Sequence, residues 1–98
     1  MQPKECFMNK SEKEHYDRVA RLGCVLCYHL GYGESPCEIH HIRRFGGKRA
    51  NAPVIGLCPE HHRGDTGVHG LGHKGFAKHH QIGEEELLLI TERLLASS

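Results

Sequence analysis

The spacing of cysteine and histidine residues constrains this chain more than any other feature of its sequence. Residues 24–27 read Cys-x-x-Cys, and residues 58–61 read Cys-x-x-His with the same two-residue gap. A structural zinc ion takes four sulfur or nitrogen ligands in a tetrahedron, and two such motifs supply four ligands. The pattern therefore predicts a structural Zn²⁺ held by Cys24, Cys27, Cys58 and His61.

The cysteine count supports metal binding over disulfide bonding. The chain has five cysteines, and no apolar segment that would serve as a signal peptide or cross a membrane. We therefore expect a cytoplasmic protein, and in that compartment metal ligation is the better default for cysteine. Cys37 is an alternative ligand in place of His61 or Cys58, and Cys6 is the cysteine most readily left free.

The 98 residues are expected to form one α+β domain, 1–98, with a single hydrophobic core. Ser11 with Glu14 is typical of a helix N-terminus and Gly23 of a helix end, which predicts a helix over 11–22. Glutamates followed by a broad apolar face predict a helix over 84–97 that packs on the core. The zinc knuckles and the ββα core are expected at 24–63, with two short strands (38–42 and 54–57) and a short helix that starts after Cys58, with Pro59 at its first position. The other expectations are a loosely ordered tail at 1–10, a loop at 28–36, an irregular stretch at 63–72 and a helix at 73–80.

Two His-His pairs indicate a second metal site. Neighbouring side chains on a strand point to opposite faces, so His40 and His41 should serve different functions. If His61 binds the zinc ion, His62 points elsewhere and can share another cation with one histidine of the strand pair. The other is then left as an uncharged base. This division suits phosphodiester hydrolysis, in which a cation polarises the phosphate and a neutral imidazole deprotonates water.

The order Cys-x-x-Cys, then Glu-Ile-His-His-Ile, then Leu-Cys-x-x-His-His resembles the HNH family of ββα-metal endonucleases. It is most similar to the small phage recombination-enhancement, RecA-dependent nucleases, over residues 15–83. The resemblance implies a zinc-stapled ββα-metal domain of treble-clef-like architecture with flanking helices. It also implies cleavage of DNA in the bacterial cytoplasm, linked to recombination and to a host recombinase filament.

The resemblance also assigns roles to individual residues. His41 matches the general base of the family, His40 stands at the first metal ligand, and His62 matches the last histidine of the motif. His69 resembles a third histidine ligand that some HNH enzymes have, at a longer spacing. Asn51 is the candidate for the motif asparagine. The catalytic cation implied is Mg²⁺ or a transition metal such as Mn²⁺, Zn²⁺ or Ni²⁺.

The segment between the two expected strands is strongly basic, although the whole chain has a net charge of only +1. Cations beside a phosphodiester-cleaving site would hold the DNA backbone without reading sequence, so low sequence specificity is expected. These cations are Arg43, Arg44, Lys48 and Arg49.

Two other functional classes fit part of the pattern. A non-catalytic zinc-knuckle module that binds nucleic acid or protein would use the same two cysteine motifs. It would leave His40, His41 and His62 unexplained, whereas a nuclease uses all three. The other class is a structural phage or packaging component that retains only the fold.

Overall fold

The computed structural model describes residues 10–42 and 53–97, and within these ranges it forms an α+β domain with a two-stranded sheet and five helices. Asn51 and the basic segment with Arg43, Arg44, Lys48 and Arg49 lie outside the described residues. The elements, in chain order, are α1 (Lys10–Leu22), α2 (Val25–Leu30), β1 (Glu38–His41), β2 (Val54–Leu57), α3 (Pro59–Arg63), α4 (Val68–His80) and α5 (Glu84–Ser97).

The first helix starts one residue earlier than expected, so Ser11 lies inside the first turn of α1 and not at its N-cap. The expected loop at 28–36 was wrong for its first three residues, which complete α2. Two caps explain this short helix: the Cys24 sulfur accepts a hydrogen bond from the Cys27 N–H at 3.4 Å, and Gly31 closes the helix with a left-handed φ of 85°.

Strands β1 and β2 pair in antiparallel register, with His40 opposite Ile55 and His41 opposite Val54. Both strands are four residues long, and every residue of β2 is buried. Gly56 lies at a close approach between backbones, because a Cβ atom there would be only 2.7 Å from the Gly23 carbonyl oxygen. This glycine allows β2 to pass directly against the connection between α1 and α2.

The stretch expected to be irregular at 63–72 is helical from Val68 onward. Val68 is buried, which anchors the first turn of α4 on the core. Gly72 has a φ of 78° inside this helix and kinks it, so the two halves of α4 point in different directions. The prediction failed because four glycines between 64 and 72 dominate the local propensity, whereas packing of the helix decides the structure.

The core lies between the sheet and the helices. Phe76 of α4, Leu87 of α5, Leu26 of α2 and Ile55 of β2 are completely buried in one cluster. Burial of side chains of this size contributes roughly 1.5–3 kcal/mol each, before conformational entropy is subtracted. This packing brings the start of α5 close to the sheet. Among the described residues, no helix is both long enough and apolar enough to cross a membrane.

Candidate metal centres

Three cysteines and one histidine from separate elements converge on a single point of the core. Their four ligand atoms all lie within 4.8 Å of one another. The first two ligands flank the start of α2, the third is the N-cap of α3, and the fourth lies on the first turn of α3. These residues, Cys24, Cys27, Cys58 and His61, are the four that the sequence spacing predicted.

The distances within this Cys3His cluster fit a tetrahedral zinc site. The Nδ1 atom of His61 lies 3.6, 3.6 and 3.3 Å from the sulfurs of Cys24, Cys27 and Cys58. The sulfurs of Cys27 and Cys58 are 3.9 Å apart. With ordinary zinc–ligand bond lengths, a tetrahedron requires about 3.6 Å between sulfur and nitrogen and about 3.8 Å between sulfurs. The cluster could therefore hold a structural metal ion such as zinc.

The protonation chemistry of the cluster also favours a cation. Burial raises the pKa of the Cys24 thiol to about 12, so a thiolate there needs a positive partner. Burial, with a smaller contribution from the neighbouring His80, lowers the pKa of His61 below its usual range. His61 is thus held in the neutral form that binds metals.

Cys37 is not part of the Cys3His cluster. Its thiol donates a hydrogen bond to the Ala20 carbonyl oxygen at 3.6 Å. Burial raises the pKa of this thiol as well, although Cys37 is only half-buried. The described structure therefore favours His61 and Cys58 over Cys37 as ligands.

Three histidines form a second cluster, with one ring nitrogen from each lying within 4.8 Å of the others. His40 comes from β1, His62 from α3 and His69 from the first turn of α4. The Nε2 atoms of His62 and His69 are 3.2 Å apart, and two nitrogens bound to one tetrahedral zinc would be about 3.3 Å apart. The burial differs from that of the first cluster, since His40 is buried, His62 is half-buried and His69 is exposed.

A carboxylate fixes the orientation of His62. The Oε1 atom of Glu38 lies 2.8 Å from Nδ1 of His62, and the guanidinium of Arg63 donates to both oxygens of Glu38 at 2.7–3.1 Å. The hydrogen bonds from Arg63, and next that from His62, lower the pKa of Glu38 to about 2. Because an ionised carboxylate only accepts hydrogen bonds, Nδ1 of His62 carries the proton. In the neutral ring, Nε2 then presents its lone pair toward His69.

His41 lies on the opposite face of β1 from His40, as the strand period predicted. It is half-buried beside Tyr16 of α1, with the Tyr16 hydroxyl 3.4 Å from Nε2 of His41. The two rings meet edge to face, with centroids 5.8 Å apart. His41 is therefore not a member of the histidine cluster.

Several contacts of the site were not predicted from the sequence. Glu38 could have been found, because it lies two residues before His40 and so shares its face of the strand. Tyr16 is one aromatic residue within the expected helix at 11–22, and its sequence position gives no functional signal. Glu84 gave no signal at all: its Oε2 atom lies 2.5 Å from Nε2 of His40, across a sequence separation of 44 residues.

Comparison with known proteins gives one family match. The family model described as recombination enhancement, RecA-dependent nuclease matches residues 9–86 of the chain. No match was found among curated proteins or among solved structures. The matched range includes both ligand clusters and ends within the first turn of α5.

Proposed function

Because the chain belongs to the recombination-enhancement, RecA-dependent nuclease family, we propose that it is a divalent-metal-dependent HNH endonuclease that hydrolyses phosphodiester bonds in DNA. The family supports nuclease activity and a nucleic-acid substrate. The observation that carries the finer proposal is the second cluster of His40, His62 and His69. A zinc-binding module needs only the Cys3His cluster, and a second convergent set of imidazoles next to it would then have no purpose.

In this proposal, β1, β2 and α3 form the ββα-metal unit. Helix α3 serves both clusters, since the adjacent residues His61 and His62 contribute to different ones. Consecutive helical residues are separated by about 100° around the helix axis, which allows one short helix to reach two sites. The structural metal thus fixes the position of the element that presents His62.

The histidine cluster has the ligand set of an open catalytic site, with His40, His62 and His69 as the residues that would hold the cation. When bound there, a divalent cation would polarise the scissile phosphate and offset negative charge on the leaving oxygen. Imidazole ligands suit transition metals such as Mn²⁺, Zn²⁺ or Ni²⁺ better than Mg²⁺, which prefers oxygen. The donor set therefore favours a transition metal within the group of cations that the sequence suggested.

His41 is the proposed general base. Its ring is half-buried and is oriented by the Tyr16 hydroxyl, which lies 3.4 Å from Nε2. In its neutral form the imidazole accepts a proton from the attacking water. The water oxygen then forms a bond to phosphorus while the bond to the leaving oxygen of the sugar breaks. His40 and His41 are consecutive residues of β1, so this one strand supplies both a ligand for the cation and the proton acceptor.

The proposed DNA contacts come from the positive charge of Arg43, Arg44, Lys48 and Arg49. In the sequence, these four residues lie within eight positions after the end of β1, the strand that carries His40 and His41. Backbone phosphates are the expected partners, which gives affinity with little sequence preference. A filament of the host recombinase on DNA is the proposed assembly on which the enzyme acts.

A cleavage assay with single-stranded and supercoiled DNA tests this function. The purified protein is incubated with Mg²⁺, Mn²⁺, Zn²⁺ or Ni²⁺, with and without a recombinase filament. We expect metal-dependent cleavage that is lost in His62→Ala and partly restored by excess metal. His29→Ala is the matched control, since His29 is exposed on α2 and belongs to neither cluster. DNA binding without cleavage under every condition would favour the zinc-knuckle module instead.

A further inference from the structure

Glu84 reaches the histidine cluster from a helix that lies outside the proposed ββα unit. Its Oε2 atom is 2.5 Å from Nε2 of His40, and the two side chains are only 14% and 7% exposed. This is a short, shielded hydrogen bond between the first turn of α5 and the middle of β1. The C-terminal helix therefore contacts one of the proposed ligands directly.

The hydrogen bond determines which nitrogen of His40 carries the lone pair. A carboxylate can only accept, so the proton of the shared hydrogen bond lies on Nε2 of His40 when the ring is neutral. The lone pair available to a metal ion is then on Nδ1. His62 shows the mirror arrangement, in which Glu38 holds the proton on Nδ1 and leaves the lone pair on Nε2. Two carboxylates from different elements thus select opposite tautomers for two histidines of one cluster.

We propose that Glu84 is a positioning residue that fixes His40 as the Nε2–H tautomer and presents its Nδ1 atom to the cation. The inference rests on the proposed function of the histidine cluster as a metal site. Histidine ligands commonly donate their second ring N–H to a carboxylate, and loss of that partner typically lowers metal affinity 10–100-fold. Glu84 would thus tune the site without binding the metal itself.

A capping role alone does not account for Glu84. The first turn of α5 contains three glutamates, and it is the Glu86 side chain that accepts a hydrogen bond from the Gly83 N–H, at 2.8 Å. This contact satisfies a free N–H group at the helix start, and Glu86 is exposed. Glu84, by contrast, turns inward to His40.

The test compares Glu84→Ala, Glu84→Gln and the control Glu86→Ala. The control weakens the start of the same helix and removes the same charge, but its carboxylate is hydrogen-bonded to Gly83. Affinity for Co²⁺ is measured by competition with a chromogenic chelator, with the structural zinc retained. We expect Glu84→Ala to bind Co²⁺ 10–100-fold more weakly. Glu84→Gln should stay within a few-fold of wild type, because its amide oxygen still accepts from Nε2 of His40.

A second readout does not require a bound cation. Long-range ¹H–¹⁵N spectra of the histidine rings, recorded with only the structural zinc present, report the tautomer of each neutral ring. We expect the Nε2–H form for His40 in wild type and in Glu84→Gln, and a mixture of forms in Glu84→Ala. An Nδ1–H form in the wild-type protein would overturn the inference.

The outcomes separate this inference from the proposed function. If Glu84→Ala binds Co²⁺ as tightly as wild type does, the positioning role is refuted. Equal weakening in Glu84→Gln and Glu84→Ala would also refute it, since that result indicates a carboxylate bound directly to the metal. Binding of Co²⁺ that His62→Ala leaves unchanged would refute the metal site itself, while the tautomer of His40 would still decide whether Glu84 orients the ring.

Discussion

The two ligand clusters each include one residue of α3, His61 in the first and His62 in the second, but they differ in chemistry and in exposure. The Cys3His cluster uses three sulfurs, and Cys24 and His61 are only 1% and 8% exposed. The histidine cluster uses nitrogen alone, and its member His69 is exposed. Structural zinc sites are closed by four protein ligands, whereas catalytic sites keep a position open. In the proposed function, α3 therefore contributes His61 to a stabilising site and His62 to a catalytic one.

The supporting groups differ as well. The Cys3His cluster lies in the apolar core. Burial there raises the pKa of Cys24 and lowers the pKa of His61, and both shifts favour the neutral side chain. The histidine cluster is surrounded by carboxylates, with Glu38 and Glu84 each hydrogen-bonded to one ring. A structural site gains strength from ligand charge and burial, while an open site depends on polar partners to orient its ligands.

The largest effect should follow from removing one cysteine of the Cys3His cluster. Cys24→Ser removes a thiolate from a site whose metal binding is worth roughly 10–16 kcal/mol in zinc-finger peptides, which is comparable to the whole stability of a typical small domain. We expect loss of bound zinc and unfolding, measured by elemental analysis and circular dichroism. Cys37→Ser is the control, because Cys37 lies outside the cluster. Folded wild-type protein with no bound zinc would refute the structural role.

A second prediction tests the proposed general base without changing either ligand cluster. His41 belongs to neither cluster, so His41→Ala should leave zinc content, folding and DNA binding nearly unchanged. Cleavage should fall by about 10²–10⁴, the usual contribution of a general base. Because a base must be neutral to accept a proton, the wild-type rate should also rise with pH, and this rise should vanish in the variant. Cleavage by His41→Ala at the wild-type rate would remove the base from the mechanism.

A smaller effect is expected from replacing a residue that supports the histidine cluster. Arg63→Ala removes the guanidinium that holds both oxygens of Glu38, so the carboxylate that orients His62 is held less firmly. We expect about tenfold weaker binding of the catalytic cation, at the lower end of the range for such partners, with the structural zinc retained. The affinity of Arg63→Lys for the cation should lie between those of wild type and Arg63→Ala, because lysine keeps the charge but not the bidentate geometry. Titration calorimetry with Mn²⁺ measures the difference, and equal affinities in all three proteins would contradict it.

The smallest effect is expected from the basic residues between the strands, which belong to neither ligand cluster. Replacing Arg43 and Arg44 by Ala removes two positive charges while both ligand sets stay intact. We expect weaker DNA binding regardless of sequence, and a plot of log K against log salt that becomes shallower by about one for each phosphate that is no longer neutralised. Fluorescence anisotropy with two unrelated DNA sequences at several salt concentrations gives this slope. A slope equal to that of wild type would show that these charges do not touch the phosphates.

The sequence predicted best what is encoded in local spacing. The convergence of Cys24, Cys27, Cys58 and His61 could be predicted because each motif lies within four residues, and folding only has to join two motifs. The alternation of His40 and His41 followed from the geometry of a strand. The order of the strands and the short helix at Pro59 could be read in the same way, from apolar runs and a proline at a helix start.

What the sequence could not show depends on packing between distant elements. Glu84 meets His40 only because α5 packs against the sheet, and its glutamate run looks like an ordinary helix start. Tyr16 likewise reaches His41 through the placement of α1. The helical turn that carries His69 was missed for a related reason, since its glycine-rich sequence has low helix propensity and tertiary contacts override that preference.

Gly56 illustrates how a residue without a side chain can limit the variation that the chain tolerates. It precedes Cys58 by two positions, and it faces the carbonyl of Gly23, the neighbour of Cys24. Even a methyl group at position 56 would lie 2.7 Å from the Gly23 carbonyl oxygen and 2.6 Å from the Cys37 sulfur, so the two backbone segments would have to move apart. These segments carry Cys24 and Cys58 of the same Cys3His cluster, so moving them apart would change the distances between its ligand atoms. In a survey of viable sequences, position 56 should therefore be as restricted as the cysteines, although it offers no atom to any ligand.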